Sequence, residues 1–132
     1  MGTGVVFTNQ GKKVMINRFY KSVPDYTPPS TFKVGTGTTT PTAADTDLST
    51  PSGSPPATST FVTGYPLIDE TNMQGTIRCQ VLTTDCNGQT LTEFGVFNTD
   101  GTPKMMSRLV HTPIVKTSSI QVIYIEKDKI KL

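Results

Sequence analysis

Hydrophobic and polar positions alternate most regularly in the second half of the chain. From Gly75 to Thr83, Ile77, Cys79 and Val81 fall on one face, with Arg78, Gln80 and Leu82 on the other. A period of two is the signature of a strand with one buried side. Thr90 to Asn98 carries Leu91, Phe94, Val96 and Phe97, and Lys104 to His111 returns beside it, closed by Pro113. Ser119 to Glu126 puts Ile120, Val122 and Tyr124 on one face and Ile123 and Ile125 on the other. Apolar residues on both faces predict an interior or interface strand. Asp85-Cys86-Asn87-Gly88 and Asn98-Thr99-Asp100-Gly101 read as hairpin turns, since both tolerate left-handed backbone. Val5 to Phe7, Thr31 to Val34 and Thr58 to Thr63 are shorter strand candidates.

Helical period occurs in one segment, 12–21, where Met15 and Phe19, and Ile16 and Tyr20, are spaced i, i+4. Thr8 or Asn9 can cap it, Lys12, Lys13, Asn17, Arg18 and Lys21 form its wet side, and Pro24, Pro28 and Pro29 forbid its continuation. About six short strands joined by turns predict a mainly β fold, an antiparallel β-sandwich or barrel with one short N-terminal helix. With 132 residues the chain makes one domain, 1–132, whose β core is 75–126.

Composition adds a long irregular arm. Thr and Ser make up a quarter of the chain, and residues 35–57 hold little else besides Gly, Pro, Ala and Asp. Leu48 is their single large apolar side chain, so the segment is expected to be an extended loop that cannot order itself by burial. A net charge of +2 does not make nucleic acid a partner, and no apolar run reaches the length of a membrane span. The first residues carry no basic and apolar leader, so no signal peptide is expected. With that, Cys79 and Cys86 are expected to be free thiols.

Candidate chemistry is sparse. His111 is the single imidazole and has no nucleophile or carboxylate beside it in sequence. Asp45-Thr46-Asp47 is half of an oxygen-ligand cation site but lacks further acidic positions, which favours a turn or cap. Glu93 lies inside a strand with no second carboxylate at useful spacing, which favours a salt bridge or an outward position. Gly35-Thr36-Gly37 lacks the Lys and helix of a phosphate loop. No cofactor, metal or catalytic residue is predicted. The expected reading is a non-enzyme.

Two segments carry a resemblance. Val34-Gly35-Thr36-Gly37-Thr38-Thr39-Thr40-Pro41-Thr42-Ala43-Ala44-Asp45-Thr46-Asp47-Leu48 resembles a "VGTGTTAPTAADTAL" stretch of small tailed-bacteriophage virion proteins. Leu91-Thr92-Glu93-Phe94-Gly95-Val96-Phe97-Asn98-Thr99-Asp100-Gly101 resembles their "ITEIGLF-x-x-DG" strand and hairpin, and Thr8 to Lys12 resembles their "TNAGK" helix start. The resemblance implies a virion structural protein of the tail, neck or collar, baseplate or fibre, made in the host cytoplasm. Its partners would be copies of itself and other virion proteins. Capsid decoration is the alternative within that class. A module binding a host-surface glycan is the alternative outside it, though the absence of Trp weighs against an aromatic sugar platform. The arm, through Gly35, Thr36, Gly37, Thr38, Pro41, Asp45 and Leu48, is the expected partner contact.

Overall fold

Alternating strands bury their apolar faces by pairing into sheets and stacking one sheet on another. The computed structural model, which describes residues 4–131, does so with two antiparallel sheets. The elements run β1 (Val6–Phe7), α1 (Asn9–Tyr20), β2 (Thr31–Gly35), β3 (Leu67–Asp69), β4 (Gln74–Val81), β5 (Thr90–Phe97), β6 (Met105–Val115) and β7 (Val122–Lys129). One sheet has the order β1-β6-β5-β2, the other β3-β4-β7. Phe32, Val34, Phe94 and Val96 of the first meet Ile77, Cys79, Val81, Val122 and Tyr124 of the second in a common core. The Phe94 and Tyr124 rings stack at its centre with centroids 4.3 Å apart. The fold is therefore mainly β, with one short helix, as the alternation predicts.

Particular elements depart from the sequence reading. The turn at 85–88 does not close a hairpin. β4 and β5 lie in different sheets, and β4 pairs β7 instead. Asp85 stays at the crossing because its carboxylate accepts from the Leu82 and Ala57 N–H groups. Residues 58–63 form no strand beyond an isolated bridge of Thr60 to Thr31. β6 runs through Pro113 to Val115, since a proline can lie in a strand where no ladder bond is asked of its nitrogen. β7 is an edge strand rather than an interior one, and Ile125, on the face turned away from the other sheet, is exposed. The core also reaches outside 75–126 to take in Val14, Phe32 and Val34.

The helix starts three residues before the predicted Lys12. Thr8 is its cap: its Oγ1 accepts from the Gly11 N–H at 3.0 Å and donates to the Met105 carbonyl. The side that packs is Gly11 and Val14, not the i, i+4 apolar pairs. Ile16 is 57% exposed, Phe19 77% and Tyr20 75%. Gly11 makes the contact with β6 so close that a Cβ there would sit 2.6 Å from the Met106 carbonyl oxygen.

That contact sets a test. Alanine at position 11 gains about 1 kcal/mol of helix propensity but must lift α1 off β6. The expected net result of Gly11→Ala is a loss of about 1–3 kcal/mol in urea unfolding. Lys12→Ala on the exposed side should stay within about 0.5 kcal/mol of wild type. Stabilisation by Gly11→Ala would show that the helix does not lie this close.

Candidate functional site

The β5–β6 hairpin pairs Gly95 with Arg108 and Glu93 with Val110, leaving Glu93 diagonal to Arg108 on one face. That face turns away from sheet β3-β4-β7 and would be open to water. Residues 36–50 cover it, and the two charges hold them there.

The Glu93 carboxylate takes five N–H bonds. Gly37 donates to Oε2 at 2.9 Å, Thr50 to Oε2 at 2.8 Å and Ser49 to Oε1 at 3.0 Å, all from backbone. Arg108 donates to Oε1 from Nε at 3.1 Å and from Nη2 at 2.9 Å. Arg108 also donates from Nη1 to Asp45 Oδ2 at 2.9 Å and from Nη2 to Ser49 Oγ at 3.2 Å. Thr92 Oγ1 donates to the Gly37 carbonyl at 2.6 Å. Glu93 and Arg108 are both almost wholly shielded from solvent.

Asp45 closes the turn before the lock. Its oxygens accept from the Thr42 N–H and hydroxyl, both at 2.9 Å, besides the arginine. Lys33 pairs with Asp47 at 3.2 Å and lies over the Phe97 ring. Leu48 is the apolar anchor, buried with Phe97 and Met105 in a small cluster of its own. Two glycines permit the close approach. A Cβ on Gly95 would come 2.9 Å from Leu48 Cδ2, and one on Gly37 would run into Ser49 Oγ and Glu93 Oε2.

The expected partner arm is thus largely used inside the fold. Gly35, Gly37, Pro41 and Leu48 are buried, Asp45 is half-buried, and Thr36 and Thr38 face solvent. The expectation that this stretch cannot order itself is corrected: it is ordered by charge and hydrogen bonding rather than by apolar burial. Of the two readings the sequence leaves open for Glu93, the structure shows the salt bridge, with Arg108. Arg108, Ser49, Thr50 and Thr92 were not foreseen. Alternation gives no signal for Arg108, since it would put Arg108 on the face of Met106, and the register shift at Met106 turns it to the other side. The backbone donors of Ser49 and Thr50 have no sequence signal.

Burial works to raise the Glu93 pKa, but the Thr50 and Ser49 amides, Arg108 and the Gly37 amide outweigh it and hold the carboxyl below its ordinary 4.5. Asp45 is lowered likewise, with burial opposed by Thr42 and Arg108. A carboxylate so occupied has little capacity left to take a proton, and its chemistry is that of a clamp.

The remaining candidates lie outside this network. His111 Nε2 lies 2.9 Å from the Tyr124 hydroxyl. Cys79 and Cys86 are free and buried, and burial pushes the Cys79 thiol up to about 12, far from a reactive thiolate. Among the described residues no group of three or more His, Cys, Asp or Glu side chains could hold a metal ion.

A second polar feature lies at the opposite, inner face. Glu126 sits on β7 opposite Ile77, 5% exposed, and accepts from Ser107 Oγ at 2.9 Å. Burial, reinforced by Asp128, raises its carboxyl to about 8. No family model, curated protein or solved structure matches the chain.

Removing the charge of Glu93 leaves Arg108 buried without its main anion. Glu93→Gln is therefore expected to cost about 3–5 kcal/mol and to speed hydrogen exchange at the Gly37, Ser49 and Thr50 amides. Unchanged exchange there would break the lock assignment.

The pH dependence has two limbs of opposite sign. Glu93 and Asp45 have depressed folded pKa values, so their stabilisation is present above about 4.5 and lost as pH falls through those lowered values. Glu126 has a raised folded pKa, so its share is present below 4.5 and declines as pH rises to about 8. Urea midpoints measured across pH should fall on both sides, and Glu126→Gln should flatten the alkaline limb alone. A Glu126→Gln curve parallel to wild type between pH 5 and 8 would contradict the second limb.

Proposed function

We propose that the chain is a non-enzymatic structural component of a tailed-bacteriophage virion. It would be a tail, neck or collar, baseplate or fibre-attachment subunit working through contacts with copies of itself and with other virion proteins. The observation that carries this reading is the meeting of the two resembling segments. Residues 34–48 and 91–101 are far apart in sequence, yet Gly37 and Asp45 of the first converge on Glu93 and its partner Arg108 beside the second. Two motifs that form one lock are a unit of architecture rather than separate chance strings of Thr and Gly.

The surface supports a contact role. Ile16, Phe19, Tyr20 and Val23 leave an apolar strip on and just after α1. Strips of this kind mark protein contacts more often than idle surface. Repeated identical contacts are how a small subunit builds a symmetric assembly.

The test is electron cryomicroscopy of intact particles, with mass spectrometry of their protein content. The expected result is the chain present in many copies, with its two-sheet density in the tail, neck or baseplate. The isolated protein should cleave neither peptidoglycan nor polysaccharide. Absence from purified particles, or turnover abolished by a single substitution, would overturn the reading.

A further inference from the structure

Between α1 and the open end of the two sheets lies a groove of about 390 Å³. Its buried base is Val14, Ile77, Val96 and Met106, and Met15 and Phe19 form its exposed lip. Glu126 and Asp128 lie on one wall. Arg18 reaches the rim from the helix, but its Nη1 is turned to the Tyr26 carbonyl at 2.6 Å. The groove is therefore apolar with an acidic end. Glu126 is the unusual part, a carboxyl placed in an apolar wall where an apolar residue would cost less.

We infer that this groove is a docking site for a chain segment of another protein that carries a large apolar side chain next to a lysine or arginine. The apolar side chain would fill the base, and the cation would pair with Glu126 and Asp128. Two observations select this occupant. Asp128 and Glu126, whose carboxyls lie together on one wall, can both accept from a cation, while the one cation of the lining, Arg18, is turned to the Tyr26 carbonyl. The apolar surface also does not stop at the groove: from Met15 and Phe19 it runs along α1 through Ile16 and Tyr20 to Val23, longer than a small molecule covers. The exposed helix face left unexplained by the fold becomes the rim of the same interface. The inference concerns contact chemistry and stands whether or not the protein belongs to a virion.

Proton linkage supports it. The titratable groups that line the groove or act on Glu126 are Asp128 on its own strand, Cys79 on β4 and Arg18 on α1. The empty site holds a proton on Glu126 at neutral pH, and a bound cation favours the carboxylate. Binding should then release a proton, with affinity rising as pH climbs toward 8.

The experiment titrates the isotopically labelled full chain with acetyl-Phe-Lys-amide and acetyl-Phe-Glu-amide, followed by amide and methyl NMR shifts. The lysine peptide should shift Val14, Ile77, Met106 and Glu126 saturably and bind at least about tenfold more tightly than the glutamate peptide. Its affinity should rise between pH 6 and 8, by up to about tenfold per unit. Asp128→Asn and Glu126→Gln should each narrow the preference for lysine, and Glu126→Gln should abolish the pH dependence. Equal binding of the two peptides, or no shift up to about 10 mM, would overturn the inference. So would phenethylammonium binding as tightly as the lysine peptide, which would make the groove a small-molecule pocket. Concentration-dependent shifts at the same residues without peptide would overturn it in favour of a second copy. Co-sedimentation with phosphatidylglycerol vesicles through α1 would overturn it in favour of a membrane surface.

Discussion

The buried pair of Glu93 and Arg108 is the interaction around which the arm is arranged. Taking either charge out of water alone would be costly, so each needs a full set of partners. The carboxylate obtains them from the backbone of residues 37, 49 and 50, and the guanidinium from Asp45 and Ser49. The demand of two charges for hydrogen bonds thus fixes the path of a segment with almost no apolar content. The segment in turn shields the outer face of β5 and β6.

The lock also explains residues that have little meaning alone. Gly37 is small because Ser49 and Glu93 occupy the space a Cβ would take, and Gly95 is small because Leu48 does. Asp45 both closes its own turn on Thr42 and extends the charge network to Arg108. The arm's start is tied to α1 as well, through the Asn9 N–H donating to the Ala43 carbonyl at 2.7 Å. Helix, arm and hairpin therefore form one connected unit.

The two buried glutamates among the described residues show how environment sets role. Glu93 meets five N–H donors and is held as an anion below its ordinary pKa. Glu126 meets one hydroxyl donor and a neighbouring acid in an apolar wall, and it holds its proton. Identical side chains favour different forms, one the anion and the other the neutral acid, because one is solvated by the protein and the other is not. The first closes a loop over a sheet. The second leaves a polar end to an open groove.

Strand alternation, turn residues and the Thr8 cap were legible in the sequence because they depend on neighbours within a few positions. Ile77, Cys79 and Val81 point inward as their spacing requires. Leu48 was legible as the one large apolar side chain of its segment, and the ion pair of Glu93 as one of two alternatives for a charge inside a strand. The partner of Glu93, the sheet that receives β4, and the face of α1 that packs were not. Each is chosen by contacts between distant segments. β4 joins β7 rather than β5, and α1 buries Gly11 instead of Phe19 because a glycine lets two backbones touch. Local pattern decides which segments want an apolar side; only the assembled fold decides which surfaces meet, since burial and charge pairing are settled by close approach in space rather than by order along the chain.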